Sequence, residues 1–397
     1  MDIETLKKTS IELDIPFLLA RRNVKWHRYA ADVLPAWVAE MDFAVAAPIR
    51  AAMDRIVREQ DYGYPFRDGD RADMALAHAF VRRMKNRFGW QTDAADTLPI
   101  ADLVQGTFAC VMAYSDPGDS VILQMPSYPP FRTAIDETGR VLQEDRMRDD
   151  GTHFITDLAA LDAATGPRAR MMLFCHPQNP TGRAYSRAEL EAFGKFAERH
   201  DLVIVSDEIH ADLLYTGHTH IPLASISPEV AARTVTITSA TKGFNIPGLR
   251  CGIMHFGSAE LKARFLKRIP AKLLGAPGIT GIDATVAAWD SSQSWCDEVV
   301  GILQANRDWL TGAIAAEFPG AVMRPAEATY LAWIDFSKLN LPELAGRFFL
   351  EKAKVALSPG ENFGPQYPHC VRLNFATSPA ILKQIIGRMS AAVRALK

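Results

Sequence analysis

Five short apolar runs constrain this chain more than any other feature. They are SVILQM at 120–125, ARMMLFC at 169–175, LVIVSD at 202–207, TVTITS at 234–239 and CGIMHF at 251–256. Each has the length of a strand and is rich in Val, Ile, Leu or Met. Stretches of helical periodicity, such as SRAELEAFGKFAERH at 186–200, separate several of them. A near-continuous apolar strand is one buried on both faces. Such strands alternating with helices predict an α/β fold with a mostly parallel sheet flanked by helices.

The flanks have a different rhythm. Residues 1–45 begin polar and end in the apolar, aromatic LPAWVAEMDF, an arm expected to pack on the small domain or on a partner subunit. Helical periodicity opens at 47–60, is broken by the loop DYGYPFRDGD and resumes over 71–88. After a mostly helical stretch at 282–317 the pattern becomes strand (ATYLAWIDF), helix (ELAGRFFLEKAKV), strand (CVRLNFA) and helix (PAILKQIIGRMSAAVRAL). The expected organisation is therefore the arm, a large domain at 46–285 and a smaller α+β domain at 286–397.

With 48% hydrophobic and 23% charged residues, the 397-residue chain can bury a large core. Its 44 basic and 46 acidic residues balance, which argues against nucleic acid as a partner. The five cysteines (Cys110, Cys175, Cys251, Cys296, Cys370) are scattered without a CxxC spacing, so neither a disulfide framework nor a zinc site is indicated. MDIETLKKTSIELD lacks the apolar core of a signal peptide, and no run approaches the roughly 18 apolar residues of a membrane span. A soluble, cytoplasmic protein without a membrane partner is expected. HTH at 218–220 has no third ligand spaced nearby and reads as a loop.

Lys242 stands out within TSATKGFNIPGLRCG, because it follows an apolar run and small hydroxyl residues. That places it on a loop near a strand end, where open α/β sheets bind ligands. LVIVSD delivers Asp207 to a strand end, either to pair with a protonated ring nitrogen or to cap the next helix. CHPQNPTG forms a rigid turn presenting the Asn179 amide. QGTF, with Gly106 and Thr107, reads as a turn opening a helix, whose backbone N–H groups favour a phosphate. PSYPPF offers Tyr128 on a proline-stiffened loop, able to lie against an aromatic ring. Arg372, in the apolar CVRLNFA, either holds a carboxylate ligand or makes a structural salt bridge.

In the order Gly/Thr turn, Tyr, Asn, Asp, Ser-x-x-Lys, Arg, Arg, these are the parts of a pyridoxal 5′-phosphate site. The chain resembles the fold-type I enzymes of the class I/II aminotransferase superfamily, and within it the MalY/PatB-type cystathionine β-lyases (C–S lyases). VKW, PAWVAEMDF, DYGYPF, SYPPF, SDEIHADL, TKGFNIPGLR, EATYLAWIDF and KVALSPGENFG carry the resemblance along nearly the whole chain. It implies that Lys242 is the Schiff-base lysine and the base at the substrate Cα. It implies Asp207 at the pyridine nitrogen, Asn179 at the ring oxygen and in the substrate site, and Tyr128 on the ring as a catalytic group. Gly106, Thr107, Ser239 and Arg250 would hold the phosphate, His210 would either lie beside the cofactor or pack on the following helix, and Arg372 and Ala39 would bind substrate. Tyr64 of DYGYPF matches a tyrosine that reaches the partner's cofactor, which implies a homodimer with shared active sites.

The implied activity is β-elimination from cystathionine or another cysteine S-conjugate, giving thiol, pyruvate and ammonia. The alternative is an aminotransferase, or a decarboxylating or oxidative deaminase of a biosynthetic pathway, on the same scaffold. A third reading is a regulatory protein that keeps the fold and binds a transcription factor; the intact Lys242, Asp207 and Arg372 speak against it. Aspartate-aminotransferase-like enzymes carry Tyr three residues after the Asp, whereas His210 stands there, as in the lyase branch. The chain departs from that branch in having QGTF for a GVV-like run, and Glu40 where Asp is commoner.

Overall fold

Strands form where the five apolar runs predict them, and all but the last of these, at 252–256, run parallel. The computed structural model describes residues 11–67 and 69–396, so the first part of the arm lies outside the described residues. In chain order the principal strands are β1 (Leu34–Ala36), β2 (Thr97–Ile100), β3 (Ser120–Met125), β4 (Val141–Arg146), β5 (Ala169–Cys175) and β6 (Val203–Asp207). They continue with β7 (Thr234–Thr238), β8 (Gly252–Phe256), β9 (Val322–Met323), β10 (Leu331–Asp335), β11 (Val355–Pro359) and β12 (Cys370–Asn374). The principal helices are α1 (Ala47–Glu59), α2 (Ala72–Phe88), α3 (Leu103–Tyr114), α4 (Arg187–Arg199), α5 (Ile279–Ser291), α6 (Gln293–Glu317) and α7 (Pro379–Arg394).

The larger sheet has the order β2-β8-β7-β6-β5-β3-β4. Neighbours from β7 to β4 pair in parallel, while β8 is antiparallel to both β7 and β2. Alternation along the strands divides their side chains between two buried faces. Ile122, Met172, Phe174 and Ile204 pack against Phe193 and Phe196 of α4. Val121, Leu123, Leu173, Val205 and Ile237 face the other way, toward Ala109 and Val111 of α3. Burying each large aliphatic side chain contributes about 1.5–3 kcal/mol, so the sheet's central strands anchor whatever is mounted on their ends.

α4 begins where its sequence says it should. Ser186 accepts from Glu189 N, and the Glu189 carboxylate accepts from Ser186 N, a reciprocal cap of two otherwise unpaired amides. The stretch 282–317 is interrupted at Ser292, between α5 and α6. The expected domain change at 285/286 thus lies inside α5.

The second sheet has the order β1-β11-β12-β10-β9, with β1 parallel to β11 and the remaining pairs antiparallel. Part of the expected arm is therefore a strand of the C-terminal sheet. The arm is pinned further by a buried ion pair, Lys25 Nζ to Asp42 Oδ2 at 2.8 Å, with Trp26 Nε1 donating to the same carboxylate at 2.7 Å. Beyond β1, residues 37–43 run between the C-terminal sheet and the lysine loop. Asn374 Nδ2 donates to Val38 O at 2.6 Å and Glu40 O at 2.7 Å, and Asn245 Nδ2 donates to Met41 O at 3.1 Å and Phe43 O at 3.0 Å. No helix among the described residues is long and apolar enough to cross a membrane.

Candidate active site

The carboxyl ends of β5, β6 and β7 converge on one cavity, completed by the start of α3, the 37–43 segment and β12. Asp207 is the last residue of β6 and is buried. Its Oδ1 accepts from Ile209 N at 3.0 Å, while Oδ2 receives no hydrogen bond from the described residues. Burial, with Glu208 beside it, pushes its carboxyl up to about 7 against the opposing effects of the Ile209 amide and the nearby Lys242.

Lys242 follows β7 through Ser239 and Thr241. Ser239 Oγ receives the Thr241 amide at 3.0 Å and donates to Cys251 O, which folds the loop so that the lysine enters the cavity. Lys242 Nζ donates to Ala39 O at 2.7 Å. Burial and the Arg372 charge lower its ammonium to about 8, against Glu40, Asp207 and Asp102.

The turn after β5 carries Asn179. Gln178 stiffens it, accepting from Thr181 N at 2.8 Å and donating to Pro126 O at 2.8 Å. Gly182 ends it at φ +75°, where an added Cβ would lie 2.6 Å from Ala326 Cβ, so the close approach and the left-handed backbone both call for glycine. Asn179 Oδ1 accepts from Arg372 Nη1 at 3.0 Å. Arg372 Nη2 donates to Trp37 O at 3.0 Å and Ser358 Oγ at 3.2 Å, leaving its buried Nε unpartnered. Arg372 has no protein carboxylate as a hydrogen-bond or ion-pair partner among the described residues. The structural salt bridge held open by its sequence context is therefore not what it makes.

Thr107, Tyr128, Ser239, Arg250, His210 and Ala39 all line the cavity. Tyr128 is half-buried, and burial raises its phenol. His210 is buried with Nδ1 unpartnered; burial and the Lys242 and Arg372 charges hold its imidazolium down to about 3.

Gly106 is a correction. It sits in the first turn of α3 with an ideal Cβ position 2.8 Å from Ile100 Cδ1, so it allows the helix to pack on β2 and does not line the cavity. The wall there is Ala101–Val104. Asp102 caps α3, accepting from Val104 N at 2.9 Å and Gln105 N at 3.2 Å, and its other oxygen accepts from Arg250 Nη2 at 2.7 Å. The Thr107 hydroxyl donates back to Leu103 O at 3.0 Å. Asp102, Thr241, Trp37 and Ser358 escaped the sequence reading; only Asp102, an N-cap residue directly before an apolar helix, carried a recognisable signal. Tyr64 is fully exposed and outside this cavity.

The donor set suits pyridoxal 5′-phosphate. A buried carboxylate with a free oxygen matches a ring N–H, a half-buried lysine with a lowered proton affinity matches an aldehyde, and Ser239, Thr241 and Arg250 gather near a helix N-terminus, as a phosphate requires. Fold and site together define a fold-type I pyridoxal-phosphate enzyme. The chain belongs to the aminotransferase class I and II family, whose model matches residues 64–389.

Two curated relatives cover almost all of it. A putative cystathionine beta-lyase of Mycobacterium leprae is 35% identical over 96% of this chain and 97% of its own length. Cystathionine beta-lyase PatB of Bacillus subtilis is 32% identical over 94% and 97%. Among solved structures, OvoB superposes with a TM-score of 0.90 at 34% identity, covering 98% of this chain and 99% of that one. A PLP-bound C-S lyase from Staphylococcus hominis superposes with a TM-score of 0.88 at 26% identity, covering 98% and 99%.

Proposed function

We propose that this enzyme is a carbon–sulfur β-lyase acting on cystathionine or another cysteine S-conjugate. The observation that carries the reading is the meeting, in one cavity, of a half-buried lysine, a buried carboxylate with a free oxygen, and an arginine without an acidic partner among the described residues. The names of the relatives support the choice of elimination.

Each residue has a task that its surroundings suit. Asp207 would hold a proton at the pyridine nitrogen, with Asn179 at the ring oxygen, Tyr128 against the ring, and Ser239, Thr241 and Arg250 around the phosphate. When bound, the cofactor supplies a sink for the electron pair left at Cα. Arg372 holds the substrate carboxylate, presenting a planar fork whose Nε still lacks a partner. Lys242 removes the Cα proton; burial and a neighbouring cation have brought its proton affinity near working pH, as general-base catalysis requires. A substrate with a thioether at Cβ then releases thiolate, and with one water the remainder becomes pyruvate and ammonia.

The reading includes a homodimer and a cytoplasmic location. Tyr62, Tyr64 and Phe66 project from one loop, 62–102% exposed, and an interface would cover such a cluster. All five cysteines are free and buried, which suits a reducing compartment.

The test is L-cystathionine with purified, cofactor-loaded protein. Pyruvate and thiol formed without a keto-acid acceptor are expected. A keto acid formed only when an acceptor is supplied would replace the lyase by an aminotransferase. Borohydride should fix the cofactor on Lys242, located by peptide mass.

A further inference from the structure

The carbonyl oxygen of Ala39 accepts two hydrogen bonds, from Lys242 Nζ at 2.7 Å and from the Tyr330 hydroxyl at 3.0 Å. The segment around this carbonyl is fixed independently of both donors. Asn374 Nδ2 holds the carbonyls on either side of it, Lys25 Nζ also binds Glu40 O at 2.9 Å, and Met41 N donates to Asn245 Oδ1 at 3.0 Å. Tyr330 is 1% exposed and immediately precedes β10. Burial pushes its phenol far up, so the hydroxyl remains a donor throughout the working pH range.

We propose that Tyr330 is a positioning residue for Lys242, acting through the Ala39 carbonyl that the two side chains share. A hydrogen bond to the charged form of a group favours that form. A carbonyl already engaged by a hydroxyl has less to offer an ammonium. Because the carbonyl is fixed by its neighbours, the effect of the Tyr330 hydroxyl is competition for its oxygen. Tyr330 therefore limits how firmly the lysine ammonium is held and keeps the amine ready to act as a base.

The other groups facing Lys242 are the same in every variant compared. Arg372 on β12 acts in the same direction as Tyr330. Glu40 in the 37–43 segment, Asp207 at the end of β6 and Asp102 before α3 act against it, and His210 is uncharged. The inference rests on Lys242 being the amine the proposed reaction uses, but not on which bond at Cβ breaks.

The experiment uses the full-length protein freed of cofactor. Reductive methylation of Lys242 by formaldehyde and cyanoborohydride is followed against pH by peptide mass, which reads the amine itself. Tyr330→Phe should move the midpoint upward by about half a pH unit, the scale of one neutral hydrogen bond. Site-specific 3-fluorotyrosine in place of Tyr330, a stronger donor of the same shape, should move it downward. Opposite shifts support the proposal, whereas lost packing would move both variants the same way. Unmoved midpoints, or shifts of one sign, overturn it. If Tyr330→Phe does not fold, the fluorinated protein alone decides by its downward shift or lack of one. No substrate is present, so a wrong lyase assignment leaves the result standing, while failure of borohydride to fix the cofactor on Lys242 counts against the proposed function instead.

Discussion

Asp207 and Glu208 are consecutive at the end of β6, yet their carboxylates serve different places. Asp207 lines the cavity, whereas Glu208 turns into the protein, where His220 Nε2 lies 2.8 Å from its Oε2. Ser206 Oγ and Leu223 N donate to the other Glu208 oxygen at 2.8 and 3.0 Å, and the His176 ring lies 4.6 Å from that of His220. One histidine of the HTH motif thus belongs to a buried polar cluster directly behind the site.

His220→Ala removes one hydrogen-bond partner of the buried Glu208 carboxylate, which keeps Ser206 Oγ and Leu223 N. Losing a hydrogen bond to a charged group costs about 1.5–3 kcal/mol. Urea unfolding should show a lower midpoint, with added zinc making no difference to the intact protein. An unchanged midpoint would mean that the pair contributes no stability.

Asp207 should also make the cofactor-free protein sensitive to pH in a defined direction. Its folded pKa, about 7, lies above the usual 3.8. Between those values the native state binds the extra proton, so this contribution to stability is complete below about 4 and is lost as pH rises through 7. Lys242, lowered to about 8, has the opposite sign and acts only above that pH. Urea unfolding at pH 5 and 7 should therefore show a loss that is smaller in Asp207→Asn by about 2 kcal/mol. Equal losses in both proteins would show that Asp207 is already ionised at pH 5.

How much of this was legible in the sequence depends on where each residue sits. β3, β5, β6 and β7 are central and buried on both faces, so their apolar runs announce them. β4 (VLQEDR) is an edge strand in which only Val141 and Leu142 are apolar, so no apolar run marks it. Lys242, Asp207 and Asn179 were identifiable because their chemistry is unusual at or just past strand ends, and Arg372 because it is a charge inside an apolar strand; the structure brings all four to one cavity. The misplaced Gly106 has a simple cause: a glycine near a helix start suggests a phosphate turn, but here it serves close packing while Asp102 makes the cap. The contacts of Trp37 and Ala39 were invisible for a deeper reason. They are made by backbone carbonyls, which every residue possesses, so no residue type could signal them.

Arg372→Ala should separate substrate binding from cofactor binding. Hydrogen bonds to a charged group contribute about 1.5–3 kcal/mol, or ten- to a hundredfold in affinity. KM for amino-acid substrates should rise by that factor, while the Kd for pyridoxal phosphate changes less than threefold. Arg372→Lys should recover only part of the loss, because a point charge cannot reproduce the fork. An unchanged KM in the alanine variant would place the carboxylate elsewhere.

Lys25 is remote from the chemistry in sequence, yet it braces the segment on which the site depends. The 37–43 carbonyls hold Lys242 at Ala39 and Arg372 at Trp37, and the segment is tied in turn by the buried Lys25–Asp42 pair. Lys25→Met keeps the apolar stem but leaves Asp42 with only the Trp26 indole, a loss of about 3–5 kcal/mol for an uncompensated buried charge. Asp42→Asn together with Lys25→Met removes both charges, and the indole can still donate to the amide oxygen, so much of the stability should return. If Lys25 acts through the segment, KM in the folded single variant should rise more than kcat falls, since Arg372 loses its alignment before Lys242 loses its hydrogen bond to Ala39 O. A single variant as stable as the parent would show that Asp42 finds another partner, and the brace would then lie in Asn374 and Asn245 alone.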